Sequence, residues 1–158
     1  VIQLFPQVAP KTVANFVSLA NSGFYNNLVW HRIVAGFVIQ TGDPNTKGAV
    51  NSSRANWGLG DGPNSVPLEA SSSYTNNVGY VALAHSSSST SGSSQFYINL
   101  ADNSDLNGQY TVFGKVVSGM NVVDAIGGLP VYTTSALLDQ PINAQSALLI
   151  SVTIQSTP

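Results

Sequence analysis

Apolar residues in this chain come in short runs, many of them β-branched, and the runs are cut off by Gly, Asn, Pro or Ser. Such punctuation reads as many short strands joined by turns. Residues 1–5 alternate, with Val1, Gln3 and Phe5 on one side and Ile2 and Leu4 on the other. Residues 29–40 are expected to form two strands bent near Ala35-Gly36. Residues 79–84, 95–100 and 110–117 read as further strands, and the alternation over 147–155 predicts a closing one. Helical spacing occurs twice. Pro10 opens the first helix, at a position where its missing N–H costs nothing; Val13, Phe16, Val17 and Ala20 form its apolar stripe, and Gly23 ends it. Met120, Val123 and Ile126 mark the second, which Gly127-Gly128 ends.

Residues 41–67 lack periodicity and predict a long surface loop. The serine-rich run from His85 to Ser94 lies between two strands and is expected to be a loop rather than a linker. Together the pattern predicts a mainly β fold, a closed or nearly closed antiparallel barrel with two helices as lids, in one domain over residues 1–158.

A chain of 158 residues, 43% of them apolar, can bury a core. No apolar run approaches the roughly 18 residues of a membrane span. A formal charge of −2, with basic residues scattered from Lys11 to Lys115, leaves no electrostatic footprint for nucleic acid. The absence of cysteine excludes disulfides, zinc-thiolate sites and thiol catalysis. Only 8% of residues are charged, and Ser and Asn supply the polarity instead, a balance that suits an exported protein, periplasmic or extracellular. The first residues show neither a charged n-region nor a cleavage site, so any targeting signal is expected to have been removed or to lie upstream.

Three blocks carry a resemblance. Trp30-His31-Arg32, followed by Gly36-Phe37, Gln40 and Gly42-Asp43, resembles the cyclophilin signature. Ser94-Gln95-Phe96-Tyr97-Ile98 resembles that family's Ser-Gln-Phe-Phe-Ile block. Leu106-Asn107-Gly108, with Val112-Phe113-Gly114-Lys115-Val116, resembles the third. They occur in the family's order, and Ala9-Pro10-Lys11-Thr12 with Asn15-Phe16 fits the first helix, so the resemblance spans essentially the whole chain. Residues 101–103 and Tyr110 look closer to bacterial cyclophilins than to the animal type.

The resemblance implies a cyclophilin-like β-barrel and peptidyl-prolyl cis/trans isomerase activity, with no cofactor and no metal. The substrates it implies are proline-containing peptides and unfolded or exported proteins. Motif by motif it assigns Arg32 the catalytic role, supported by Gln40 and Phe37. Phe37, Val38, Tyr97 and Leu106 would line a proline pocket with Tyr110 at its edge. Gln40 would hold Arg32 and the substrate backbone. The backbone at Ala84 and His85 and the side chain of Gln95 would run along an extended peptide. Three positions depart from the animal pattern. Val38 stands where methionine is common, Tyr97 replaces a phenylalanine and brings a hydroxyl that needs a partner, and Asp105 stands where an aromatic is usual, which implies weak cyclosporin binding.

Bland readings compete with these. Without its flanking motif Arg32 would be a surface arginine paired with an acid, and Phe37 and Leu106 plain core. Phe113 reads as barrel core and His31 as a packing neighbour of Arg32. No Gly-x-Ser-x-Gly elbow accompanies His85 and its serines, so hydrolase chemistry is not expected. Asp102, Ser104 and Asp105 lack the terminal glutamate of a calcium loop. A cyclophilin-like binding or structural module within a larger extracellular protein or assembly is the alternative to an enzyme. Cyclophilins also carry a strand before the one that residues 1–5 resemble, so this N-terminal strand is apparently missing. An unpaired edge is therefore expected, to be filled by upstream residues or by a strand from a neighbouring subunit.

Overall fold

Alternation along each strand sorts side chains onto two faces, and that sorting builds both the core and the groove of this protein. A computed structural model describes residues 1–48, 54–87, 89–134 and 136–156. Its elements, in order, are β1 (Ile2–Leu4), α1 (Pro10–Asn21), β2 (Leu28–Val29), β3 (Arg32–Val34), β4 (Val38–Thr41), β5 (Val66–Pro67) and β6 (Tyr80–Leu83). There follow β7 (Ser91–Gly92), β8 (Phe96–Asn99), β9 (Val112–Val116), α2 (Met120–Gly127) and β10 (Leu148–Leu149). Six strands form one antiparallel sheet in the order β1-β9-β6-β8-β4-β3, while β10 pairs with β2 and β5 with β7.

One face of the large sheet sends Ile33, Ile39, Val81, Leu83, Phe96, Ile98 and Phe113 into the main core with Val13, Phe16, Leu19 and Ala20 of α1. Phe16 is the hub, with its ring centroid 5.1 Å from Tyr25, 5.3 Å from Phe113 and 5.4 Å from Phe96. The other face carries a second, smaller cluster: Val38, Ala82, Ala84, Tyr97 and Val112.

Pro10 does open α1, but its cap comes from a distance. The carboxylate of Glu69 accepts hydrogen bonds from the backbone N–H groups of Thr12 (2.8 Å) and Lys11 (3.1 Å) and from the Thr12 hydroxyl (2.7 Å). The two backbone donors are N–H groups of the first turn that no helical carbonyl can reach. Desolvation works against the Glu69 carboxylate, but the bonds from Thr12 and Lys11 outweigh it and hold the group below its usual range.

Two expectations need correcting. The ladder of the large sheet does not close: among the described residues it ends at β1 on one side and β3 on the other. The outer side of β3 is met by a loop, with the Ile33 N–H bonded to the Asp139 carbonyl (2.8 Å). The strand predicted over 147–155 shrinks to Leu148–Leu149. Val152 and Ile154 keep the alternation, half-buried against the core between exposed neighbours, yet residues 151–156 hold no strand. Alternation reports which side of a segment faces apolar matter, whereas a strand also needs a partner edge, and β2 offers only two residues. The unperiodic stretches also conceal a short ribbon, β5 with β7, between the 41–67 loop and the serine run. Residues 49–53 of that loop and Ser88 of the run lie outside the described residues.

Candidate active site

The β-sheet register places one row of residues side by side across five strands. Arg32 faces Gln40, Gln40 faces Tyr97, Tyr97 faces Ala82, and Ala82 faces Val112. Because side chains repeat every second residue, Val38 and Ala84 project from the same face as that row. The result is a groove enclosing about 560 Å³. All ten residues singled out from the sequence line it: Arg32, Phe37, Val38, Gln40, Ala84, His85, Gln95, Tyr97, Leu106 and Tyr110.

One end of the groove is apolar. Val38 and Tyr97 form its floor, with Phe37, Leu106 and Tyr110 packed around them. The hydroxyl of Tyr97 donates to Asn76 Oδ1 at 2.8 Å, and burial, with Tyr110 adding to it, pushes the phenol well above its usual range. Tyr110 meets Tyr97 edge-on at 5.8 Å and stacks on His85 at 4.4 Å. The two ring nitrogens of His85 lie 2.9 Å from the carbonyls of Ser86 and Gln109.

Arg32, at the β3 end of that row, has its side chain 42% exposed. Its guanidinium lies 5.8 Å from the Phe37 ring, and Nε is 3.7 Å from Asp139. An ion pair so long and so open to water holds the arginine only weakly. Gln40 donates to Gln95 Oε1 at 2.9 Å rather than to Arg32. Gln95, in turn, donates from Nε2 to the carbonyls of Gly60 (2.7 Å) and Gly58 (3.1 Å). Both halves of its amide are thus engaged within the protein.

These glycines belong to the polar end, where Gly58, Leu59, Asp61, Ser86, Ser89, Ser91 and Gly92 line the groove. Beneath it lies the fully buried carboxylate of Asp43, which accepts from the backbone N–H groups of Asn45 (2.7 Å) and Gly58. A side chain at Gly60 would overlap that carboxylate. Burial, with the charge of Asp43 second, raises the carboxyl of Asp61 on the rim. His31 is buried next to this end, and neither ring nitrogen makes a hydrogen bond of good geometry among the described residues. Desolvation pulls its pKa down to about 4, despite the opposing pull of Asp43, the Val29 backbone and Gln95. His31 is therefore a neutral packing residue.

Sequence reasoning missed Asp43, Asp61, Asn76 and Asp139. Asp43 was visible as the last residue of the first block. The others sit in loops whose place at the groove no periodicity signals.

The family model for cyclophilin type peptidyl-prolyl cis-trans isomerase/CLD matches residues 1–147. A peptidyl-prolyl cis-trans isomerase of Acinetobacter baylyi is 36% identical over 160 residues, covering 98% of this chain and 79% of that protein. A peptidyl-prolyl cis-trans isomerase-like 1 protein of Aspergillus oryzae is 39% identical over 126 residues, covering 80% and 74%. The crystal structure of a Cryptosporidium parvum cyclophilin type peptidyl-prolyl cis-trans isomerase, determined in the presence of the dipeptide Ala-Pro, superimposes with a TM-score of 0.83 at 26% identity, covering 99% of this chain and 92% of that one. The groove geometry and these likenesses agree, and the chain belongs to the cyclophilin-type peptidyl-prolyl cis-trans isomerases.

Proposed function

We propose that this isomerase seats the proline ring of its substrate between Phe37, Val38, Tyr97 and Leu106, with Tyr110 at the edge, and that Arg32 supplies the catalytic hydrogen bond. An X–Pro bond must lose its amide resonance to rotate, against a barrier of about 18–20 kcal/mol. An apolar cup can hold the ring still while the carbonyl side turns. A guanidinium, always charged and carrying donors in a rigid fork, can bond to the proline nitrogen as it pyramidalises. The weak tether of Arg32 to Asp139 leaves it free to make that bond. Gln40, fixed by Gln95, supports the substrate backbone from the adjoining strand. The Ala84 carbonyl and the His85 N–H have no hydrogen-bond partner among the described residues, which suits them to an extended peptide laid along the groove. Neither a nucleophile nor a metal enters the reaction.

The observation that carries this reading is the cross-strand row, which sets Arg32, the one Lys or Arg among the described residues lining the groove, beside its apolar end. The test is Arg32→Ala in a proline-isomerisation assay on a short peptide. A loss of about one to two orders of magnitude in kcat/KM is expected, the worth of one charge-assisted hydrogen bond, with an unmoved thermal midpoint. Full activity in the variant would sink the assignment and leave a binding module as the reading of the groove.

We infer further that the substrates are unfolded or exported proteins and that the chain itself is exported, a reading supported by its low content of charged residues. The edge of β1, which among the described residues pairs with β9 alone, supports a strand donated there by a neighbouring subunit. Light scattering that finds only monomer at high concentration would count against that donation and leave upstream residues as the filler.

A further inference from the structure

Asn76 is 1% exposed, yet each of its polar groups is in use. Its Oδ1 accepts from the Tyr97 hydroxyl (2.8 Å) and from Asn99 Nδ2 (3.3 Å). Its backbone N–H and Nδ2 both donate to Asn107 Oδ1, at 2.8 and 3.3 Å. Its carbonyl accepts from the Asn103 N–H at 2.8 Å. Asn103 extends the network by donating from Nδ2 to Asn99 Oδ1 (2.8 Å) and to the carbonyl of Phe37 (3.0 Å), while the Leu106 N–H donates to the Asn103 carbonyl (3.0 Å). One buried asparagine therefore connects the floor of the apolar end (Tyr97), one wall (Leu106, between Asn103 and Asn107) and, through Asn103, the backbone of the other (Phe37).

We propose that Asn76 is a positioning residue for the isomerase. It draws the Tyr97 hydroxyl into the asparagine network and away from the cup, so that the ring faces substrate, and it sets the distance between the Leu106 wall and that floor. This inference rests on the proline-pocket reading above. A tyrosine on the floor of an apolar cup is tolerable only if its hydroxyl is satisfied somewhere other than in the cup, because a buried hydroxyl without a partner is costly. Asn76 provides that acceptor. It touches no substrate and acts through Tyr97 and Leu106.

Asn76→Leu tests the idea selectively. Asn99 Nδ2 keeps the Tyr80 carbonyl (3.0 Å) and Asn107 Oδ1 keeps the backbone N–H of residue 76, so the orphan created is the Tyr97 hydroxyl. The hydroxyl must then turn toward the cup or drag the ring off its seat. We expect N76L to lower kcat/KM for a short proline peptide about ten-fold, chiefly by raising KM. Tyr97→Phe added to it removes the orphan, and replacing both partners by apolar groups of similar shape is nearly neutral. The double variant N76L/Y97F should therefore return to within about three-fold of the parent. A merely structural role for Asn76 would lower the thermal midpoint of both variants without this rescue in KM. N76L at parental KM, or a double variant as impaired as N76L, would overturn the proposal. Should N76L fail to fold, Asn107→Ala replaces it, since Asn107 is exposed and its loss removes one of the two ties between Asn76 and the Leu106 wall, leaving the one through Asn103. A KM raised about two- to five-fold is expected there, and an unchanged KM overturns the proposal. Arg32→Ala, run alongside, separates the two readings. If it is crippled and the rescue still fails, the network inference is wrong and the pocket stands; if it is fully active, the pocket reading itself is wrong.

Discussion

At the apolar end of the groove, Val38 and Tyr97 stand on neighbouring strands of the large sheet, and Phe37 and Leu106 come from turns beside them, stitched together by asparagines. At the polar end, Gly58, Leu59 and Asp61 come from a loop whose carbonyls hang on one amide, Gln95, and whose backbone hangs on one carboxylate, Asp43. The first end is placed by the β-ladder and trimmed by side chains, so single substitutions there should act locally, on substrate. At the second end the 58–61 segment belongs to no ladder and a buried charge places it, so loss of that charge should be felt as stability.

Asp43→Ala makes the sharpest contrast. It strands the backbone donors of Asn45 and Gly58, two bonds to a charged acceptor at roughly 1.5–3 kcal/mol each. A stability loss of about 3 kcal/mol or more is expected in urea unfolding, with faster amide exchange at Gly58. An unmoved midpoint would erase the distinction between the two ends.

Acid should act on the same end next. His31 is neutral in the folded protein, with a pKa near 4 against 6.5 for the free side chain, so between those values the unfolded chain binds more protons. Stability is then fully present above pH 6.5 and falls as pH drops toward 4, by on the order of 3 kcal/mol. Below 4.5, the free value for a glutamate, the Glu69 cap adds a further loss as its carboxylate protonates. In His31→Gln the loss between pH 6.5 and 4 should vanish while the Glu69 loss remains. A parental slope in that variant would assign the effect to another group.

Leu106→Ala probes the apolar end. It removes part of a half-buried wall, worth about 1–2 kcal/mol of contact with a seated proline, so KM should rise about ten-fold while the thermal midpoint stays put. A midpoint falling as far as in the Asp43 variant would mean that the two ends are built alike.

The smallest effect concerns Asp105, exposed beside Leu106, with its carbonyl bonded to Gln109 Nε2 at 2.6 Å. Cyclosporin is expected to bind weakly, and Asp105→Trp, which exchanges a hydrated charge for a flat apolar surface and an indole donor, to tighten it several-fold. Calorimetry on both variants checks this; tight binding by the parent would show that the apolar end alone suffices.

Both helices, the strands that carry Arg32, Gln40 and Tyr97 and, through the three ordered blocks, the family were legible in the order of residues alone. It could do so because helix caps, alternation and motif spacing are local signals, written within a few residues of what they specify. Tyr97 shows the limit. Its hydroxyl announced that a partner was needed, but the partner is Asn76, 21 residues away in a loop without pattern. The same holds for Glu69 on α1, Asp139 beside Arg32 and the carbonyls that hold Gln95. Closure of the sheet was likewise undecided by alternation, since 151–156 has the pattern of a strand and no ladder. These features depend on which segments the fold brings together, and a hydrogen bond between distant residues leaves no periodic trace in either of them.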